Sequence, residues 1–431
     1  MNRRLGGSGD SAAMPSYAEV FRTRGYPALF VAAALSTWGD YLARITVAAY
    51  VFVRTASPLA AAATFAISLL PTIFGRSLLA PIADRIPYKY VLVASHLMRA
   101  LLVGVLIVVV SADGPLWTLF GLLFLVELVG GPAVPSGQIL MTDLFIDRRL
   151  YARALGLSAL SEQVNQAIGL ALGGLVVAWV GTDGALWFDL TTFLVSALVI
   201  TVVVRVQAIR GTPSAGMAGF FRDIGEGARY LFRHPVLVYL LALSLCSVWA
   251  IAAPEAVAIA YAASMDPLGP GDPSGSARLG GLLMAAPILG AVAGLVMVGR
   301  WQPERQNSRI IIMALLMPLP LMVTVFAPPV GIAWLLWFTC GALQAFMLPL
   351  QSTFSLVIPV QMRGRVFGLA GALSVAATGV AFLAAGYLAE RISPASAVAI
   401  CAAGSMVAIV IVAVRWPRSA LREAVDTAYN S

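Results

Sequence analysis

The sequence predicts an all-α polytopic membrane protein with twelve transmembrane helices in two pseudo-symmetric six-helix bundles. Of its 431 residues, 60% are apolar and 11% are charged, and the mean hydropathy is +0.89. A soluble domain carries about 25% charged residues. The apolar residues form long runs, of the kind that spanning helices of about 20 residues require. Basic residues gather in alternate connections between these runs. This composition excludes a soluble globular enzyme, a disordered chain and a disulfide scaffold.

Twelve apolar segments are bounded by charged residues, proline and glycine, which mark the ends of spanning helices. We expect these helices at approximately 27–53, 58–83, 90–112, 115–140, 153–180, 184–205, 235–263, 278–299, 309–327, 329–358, 366–389 and 394–415. The predicted organisation is a cytoplasmic segment, a first bundle, a linker, a second bundle and a tail, at 1–25, 26–205, 206–234, 235–415 and 416–431. The N-terminal segment lacks the short apolar core of a signal peptide, so the first helix is expected to act as its own insertion signal.

The distribution of basic residues predicts the orientation of the chain. With twelve spans, 22 of the 28 basic residues fall on the side of the termini, three on the other side and three within helices. The positive-inside rule places the rich side, and both termini, in the cytoplasm. The net charge of +8 is therefore a topology signal, and nucleic acid is not an expected partner. The single lysine is typical of a GC-rich bacterial genome, so we expect a bacterial cytoplasmic membrane protein, acting as a monomer.

The two predicted bundles share sequence features. The run Arg153–Leu157 that opens the fifth helix matches Arg365–Leu369 at the start of the eleventh, and Gly174 matches Gly386, both at an offset of 212 residues. Such a repeat indicates two homologous halves with a binding site between them. Small residues also permit close helix crossing. In the linker, residues 220–232 fit either a surface amphipathic helix or a plain charged connection.

A motif between the second and third helices resembles a family signature. Residues 80–92 read A-P-I-A-D-R-I-P-Y-K-Y-V-L, which resembles the G-x-L-A-D-R-x-G-R-K-x-x-L signature of the major facilitator superfamily. Asp84, Arg85, Lys89 and Leu92 match it, whereas the two glycines and the second arginine of the signature are replaced. The resemblance implies a two-bundle fold that works by alternating access.

Further segments are similar to the bacterial drug, macrolide and siderophore-export branch of that superfamily. They are Gly39-Asp40 in the first helix, Asp189–Phe193 in the sixth and Arg363–Gly368 before the eleventh. In the fifth helix, Gly169–Gly174 resembles the G-P-x-x-G-G antiporter motif, with leucine in place of proline. In the fourth helix, the arginine of the family pattern is replaced by Glu127. The likeness extends over roughly residues 20 to 415.

The loop motif predicts a cytoplasmic gate. Asp84 can cap a helix N-terminus, where exposed N–H groups favour an anion, and Arg85 can reach Asp143 near the end of the fourth helix. We expect these residues, with Lys89, to latch the cytoplasmic side in one conformation and release it in the other. The alternative is that the charges only enforce topology.

Five acidic residues within the predicted helices are candidates for proton coupling or for structural roles. A charge at the centre of the bilayer costs about 3 kcal/mol on insertion scales, so each acid should face a cavity or a partner. A carboxyl group removed from water binds a proton more readily, so it can load and release one. The five are Asp40, Glu127, Glu162, Asp189 and Glu255.

Asp40 and Glu127 differ in the partners that the sequence offers them. Arg44 follows Asp40 by four residues, close enough to pair on one helix face. This pair is either a coupling switch or a permanent structural ion pair. Glu127 has no cation nearby on its own helix and is our first candidate for a freely titrating carboxyl group. The alternative is a pair with Arg99 or Arg76 of a neighbouring helix.

The remaining polar and aromatic candidates concern the substrate. Glu162 belongs to a polar cluster on the fifth helix that also contains Gln163, Asn165 and Gln166, and so many polar residues must line a wet cavity or pack on protein. In the second half, three residues suit an apolar or amphipathic ligand: Trp249, Gln344 and Phe346. Asp189 is expected to be structural, and Glu255 is expected to be an interfacial anchor.

Together these features predict a proton-coupled exporter of small amphipathic molecules, such as drugs or secondary metabolites. Its expected partners are the substrate, protons and the lipid bilayer. The proton gradient supplies the energy, with no bound cofactor or metal. The chain has no G-x-x-x-x-G-K-[ST] loop, which argues against an ATP-driven pump, and we expect no enzymatic activity. The alternatives are an importer or facilitator on the same fold, and a non-transporting membrane receptor.

Overall fold

A computed structural model of the chain describes residues 17–83, 86–145, 147–204, 216–265 and 273–417. Helices dominate these ranges, which contain no β-strand. The helices are α1 Tyr17–Arg22, α2 Tyr26–Thr55, α3 Pro58–Ala83, α4 Tyr88–Ser111, α5 Leu116–Gly130, α6 Ala133–Leu144, α7 Arg148–Val203, α8 Gly216–Arg233, α9 Pro235–Met265, α10 Pro273–Gly299, α11 Pro303–Leu316, α12 Leu319–Met322, α13 Val330–Leu343, α14 Met347–Val357, α15 Val360–Arg391 and α16 Pro394–Val414. Within the described ranges, nine helical segments are long and apolar enough to cross a membrane. The all-α polytopic membrane fold is confirmed.

The predicted spans coincide with helical segments to within a few residues. The largest difference is α7, whose 56 residues contain the fifth and the sixth predicted spans. A straight helix of that length would be about 84 Å long, at 1.5 Å per residue, whereas the hydrocarbon core is about 30 Å thick. The backbone breaks at Gly181, where φ is +72°. Glycine adopts this left-handed conformation without a Cβ clash, so the connection between the two spans is a kink rather than a loop.

The fourth and the tenth spans are each interrupted near their centres, and the ninth is broken between α11 and α12. Gly131 and Pro132 separate α5 from α6, and a 3₁₀ turn, Gln344–Phe346, separates α13 from α14. Proline lacks an N–H donor and clashes with the preceding turn, which accounts for the first break. The interruptions of the fourth and tenth spans occupy corresponding places in the two halves of the chain and agree with the predicted internal repeat.

The helices pack in two groups that meet along two seams. In the first group α2 and α4 pack on α7, and α3 and α4 pack on α5; in the second, α9 packs on α15 and α16, and α10 packs on α13. The groups meet where α7 lies against α10 and where α3 lies against α15. The exact division into bundles at residues 205 and 235 stays a prediction.

Each half begins with a short helix that contacts the arginine predicted to be repeated. The guanidinium of Arg153 lies 4.3 Å from the centre of the Tyr17 ring of α1. Arg365, at the equivalent place in α15, forms an ion pair with Glu226 of α8, with 2.6 Å between Nη1 and Oε2. The segment for which a surface helix and a plain linker were both open is therefore helical, as α8. Its place on the membrane surface stays a prediction.

The α7–α10 seam depends on glycine. A Cβ atom added to Gly174 would lie 2.3 Å from the carbonyl oxygen of Ala277, and one added to Gly281 would lie 2.5 Å from that of Leu170. No side chain fits at either distance. The predicted close crossing at the Gly174 segment is therefore present, and it brings the two halves into backbone contact.

The α3–α15 seam is closed at the end of the bundle that carries Ser57, which we call the outer end, following the predicted orientation. A Cβ atom added to Gly386 would lie 2.6 Å from Cβ of Ala62, and the rings of Phe65 and Phe382 are 5.9 Å apart. Glu390 accepts hydrogen bonds from the Ser57 hydroxyl and from the backbone N–H of Leu59. This carboxylate of one half thus caps the first turn of a helix of the other half, where the helix dipole favours an anion.

Candidate functional site

Two ion pairs lie inside the first group of helices. Arg44 of α2 donates from Nε and Nη2 to Oε1 of Glu127 on α5, at 2.9 and 2.6 Å. One turn earlier on α2, Asp40 pairs with Arg99 of α4. The side chains of Arg44 and Glu127 are 14% and 11% exposed, and those of Arg99 and Asp40 are 5% and 22% exposed. Each pair joins two helices, and the two charges within it balance each other.

These partners correct two of the sequence-based expectations. Asp40 does not pair with Arg44, because each of them reaches a partner on another helix. Glu127 is not a free carboxyl group in this conformation, and its partner is Arg44 rather than Arg99. The side chain of Arg76 lies outside the described part of the chain. An arginine can point directly at a carboxylate on a facing helix. Two residues that are four positions apart on one helix instead lie side by side. Which of these contacts forms depends on helix rotation, which a single sequence does not specify.

Groups from three other helices surround the guanidinium of Arg99. The ring of Phe193 lies 4.4 Å from the centre of the guanidinium, in a cation–π arrangement. The Ser36 hydroxyl accepts a hydrogen bond from Nη1 at 3.3 Å. A Cβ atom at Gly130 would lie 3.2 Å from Cζ of Arg99. Gly130, the last residue before the helix break, therefore lets the backbone of α5 lie close to the guanidinium of Arg99.

Asp189 is a buried carboxyl group that sequence reasoning assigned to a structural role. Its residue has 0% exposure, and neither carboxyl oxygen has a hydrogen-bond partner among the described residues. A Cβ atom added to Gly39 would lie 2.3 Å from its Oδ1, so the glycine next to Asp40 makes room for it. The sequence did contain a sign that these residues belong together, because Gly39-Asp40 and Asp189–Phe193 are both similar to segments of the export branch.

Further polar groups from both halves lie beside the ion pairs. Glu255 of α9 is half-buried and interacts electrostatically with Arg44 and Tyr41 of α2. It was expected to be an interfacial anchor, and this placement shows that interpretation to be wrong. Glu162 of α7 is exposed and also interacts with Tyr41. Acidic groups of both halves thus approach one aromatic ring beside the ion pairs.

The polar cluster of the fifth span is partly used in packing. The indole N–H of Trp38 donates to Oδ1 of Asn165 at 2.9 Å, and the amide of Asn165 donates to the Ser161 hydroxyl at 2.8 Å. Asn165 is buried, which agrees with the packing alternative for this residue. Gln166 is half-buried on the same helix.

The other predicted site residues lie in different parts of the molecule. Trp249 and Gln344 are half-buried, whereas Phe346 is fully buried in the apolar core and offers no surface to a ligand in this conformation. Lys89 donates to the carbonyl oxygen of Thr201 at 2.8 Å, near the end of α7, and Asp143 lies in the last turn of α6. The predicted residues outside the described part are Asp84 and Arg85, with the side chains of Arg76 and Gln163. In the described ranges, no group of three or more His, Cys, Asp and Glu side chains is arranged to hold a metal ion.

A helical membrane fold with two halves and buried ion pairs is typical of a membrane transporter. Comparison with known proteins identifies the family: residues 29–374 match the profile of the Major Facilitator Superfamily. The chain belongs to this superfamily of transporters and is not an enzyme. A transporter of this fold binds a small-molecule substrate and is embedded in the membrane.

Relatives in sequence and structure agree with this assignment. The chain is 26% identical to the MFS-type transporter YfiS of Bacillus subtilis, over 88% of this chain and 90% of the relative. It is 29% identical to the multidrug efflux pump Tap of Mycobacterium tuberculosis, over 59% of each chain. A crystal structure of the nucleoside transporter NupG matches with a TM-score of 0.67 at 11% identity, over 91% of this chain and 98% of the other. A variant of the E. coli fucose:proton symporter FucP matches with a TM-score of 0.55 at 15% identity, over 90% and 98%.

Proposed function

We propose that this transporter exports small amphipathic molecules, such as drugs or secondary metabolites, in exchange for protons by alternating access. The observation that carries the proposal is the set of crossed ion pairs, Asp40–Arg99 and Arg44–Glu127, beside carboxyl groups of both halves. A proton bound by either carboxylate breaks an ion pair and leaves an arginine without a partner. Because an uncompensated buried charge is unfavourable, protonation alters the balance between conformations. The partial similarity to the multidrug efflux pump Tap supports the export direction.

In the proposed cycle, outside protons load Glu127, with Asp40 or Glu162 as the second site. The gradient is the energy source, so no bound cofactor is required. The molecule described here is closed at its outer end by Gly386 and Glu390. With the orientation predicted from the basic residues, this is a conformation that releases protons to the cytoplasm and accepts substrate from it. Tyr41, Glu162 and Glu255 are the proposed first contacts of an amphipathic substrate.

The cytoplasmic gate remains part of the proposal. Lys89 binds the carbonyl end of α7, where the helix dipole favours a cation, and so it links the motif-bearing loop to the sixth span. Asp84, Arg85 and Asp143 complete the proposed latch. The protein is proposed to act as a monomer in the bacterial cytoplasmic membrane, with both termini inside.

Export is tested by accumulation of ethidium, tetraphenylphosphonium and acriflavine in efflux-deficient bacteria. Cells express the wild type, Glu127→Gln or Asp183→Asn, or carry the empty vector. Asp183 is exposed near the Gly181 kink and serves as a matched acidic control. We expect lower accumulation with the wild type and the control, lost in Glu127→Gln and on adding a protonophore. Equal accumulation of all three probes in wild-type and empty-vector cells would overturn the proposed substrate class.

An importer on the same fold is the second candidate. It is favoured by the structural similarity to the fucose:proton symporter FucP, although that likeness concerns the fold alone. Direction separates the two functions, because an importer raises accumulation of its substrate above the empty-vector level. Protonophore-sensitive uptake of a probe would replace the export proposal with this one.

A further inference from the structure

We infer that Asp189 is a proton-binding site that exchanges with Asp40 for the single cation Arg99. The inference deepens the proposed function, because it adds a proton carrier to the site, and it rests on that function for its role in transport. The inference starts from buried polar atoms of two side chains that make no hydrogen bond. Both carboxyl oxygens of Asp189 and Nε of Arg99 are buried and have no hydrogen-bond partner among the residues that the structure describes.

Arg99 and Asp189 both lie beside the segment of α2 that carries Gly39 and Asp40. Arg99 rests on the ring of Phe193, one helical turn after Asp189 on α7. Asp189 interacts electrostatically with Arg99, Asp40 and Glu127. Its Oδ1 lies against Gly39, the residue before Asp40. One guanidinium therefore serves two carboxyl groups, of which Asp40 holds the ion pair in this conformation.

The geometry places the proton on Asp189. An ionised carboxylate without a partner is very unfavourable in a dry interior, whereas a neutral acid is far less so. The Thr192 hydroxyl, which lies beside the same oxygen, already donates to the Asp189 carbonyl oxygen at 2.7 Å. A hydroxyl has one proton to donate. The Thr192 oxygen can therefore accept a hydrogen bond from a protonated Asp189.

The exchange step is balanced in charge and atoms. The O–H bond of Asp189 breaks, its electron pair stays on the carboxylate, and the proton forms an O–H bond on Asp40. Arg99 then leaves Asp40 and donates to Asp189, with Nε as an additional donor. The two carboxyl groups share one proton before and after the step, Arg99 keeps its own, and the three groups carry no net charge. Other charged or titratable groups facing this site are Glu127 on α5, Arg44 on α2 and His96 on α4, whose ring is 6.1 Å from that of Phe193.

Infrared spectroscopy of the purified protein in lipid nanodiscs tests the inference without a substrate. At neutral pH the wild type should show the carbonyl stretch of a protonated, buried carboxylic acid. The band should be lost in Asp189→Asn, which imitates the neutral acid in shape, and retained in Asp183→Asn. In Asp40→Asn the freed Arg99 should pair with an ionised Asp189, so this variant should also lose the band.

The outcomes separate this inference from the proposed function. A band that persists in Asp189→Asn, or its absence in the wild type, overturns the proton site, and a band that persists in Asp40→Asn overturns the exchange. The Asp40→Asn spectrum still decides if Asp189→Asn fails to fold. In the ethidium assay Asp189→Asn should lose protonophore-sensitive export, whereas Asp183→Asn keeps it. If the wild type exports no probe, the proposed function fails while the infrared result still decides the proton site.

Discussion

The Arg44–Glu127 ion pair gives a quantitative test of how the helices are arranged. Replacing Glu127 by glutamine leaves the guanidinium of Arg44 without its partner, at a place where its side chain is 14% exposed. Breaking a buried pair by removing one partner costs about 3–5 kcal/mol. Because both groups keep some exposure, we expect the lower end, about 3 kcal/mol, for Glu127→Gln and also for Arg44→Gln. The double variant removes both charges and should lose no more than either single one.

The coupling energy is measured with a double-mutant cycle. Equilibrium unfolding in mixed micelles with increasing SDS, followed by tryptophan fluorescence, gives the free energy of each of the four proteins. We predict a coupling of about 3 kcal/mol between Arg44 and Glu127, a similar value for Asp40 and Arg99, and less than about 1 kcal/mol for Asp40 and Arg44. A stronger coupling between Asp40 and Arg44 than between Arg44 and Glu127 would refute the reasoning.

Three further predictions concern the seams and the surface. Gly174→Ala should cost about 1–3 kcal/mol in the same unfolding assay, because the added Cβ would lie 2.3 Å from the carbonyl oxygen of Ala277. Gly156→Ala, where a Cβ meets nothing within 4 Å, should not destabilise the protein, and equal effects of the two variants would contradict the seam. Glu390→Gln should weaken the cap on α3 by about 0.5–2 kcal/mol. It should also lengthen the distances between spin labels on the outer ends of α2 and α15, and unchanged distances would show that Glu390 does not help to close the outer end. Glu226→Gln should cost less than about 1 kcal/mol, because its pair with Arg365 is 36–39% exposed; a larger loss would mean that α8 is more than a surface helix.

The spans and the repeat were predictable because hydropathy and charge are properties of short stretches of chain. The apolar run ending at Ala83 and the arginines that open α7 and α15 carry their information locally. The kink at Gly181 differs from the predicted loop because a single glycine is enough to redirect the helix. Features that depend on a short stretch of chain, such as the positions of the spans, could therefore be predicted from the sequence.

Contacts between helices were much less predictable. Asp40, Arg44 and Glu127 were all identified as candidates, but their pairing depends on how three helices are rotated about their axes. Asp189 and Glu255 were given peripheral roles because their depth along the sequence suggested helix ends. In the fold, the missing side chain of Gly39 admits one of them, and the approach of α9 to α2 brings the other to Tyr41. Such proximity arises only after the helices pack.

The most direct test of the central claim measures proton movement that is driven by the transported molecule. Everted membrane vesicles are energised to an acidic interior, monitored by the quenching of a pH-sensitive dye, and then given ethidium. Exchange predicts that ethidium entry releases protons and reverses the quenching in wild-type and Asp183→Asn vesicles, but not in Glu127→Gln vesicles. Ethidium entry with no change in quenching in the wild type, or equal reversal in Glu127→Gln, would contradict proton exchange through this site.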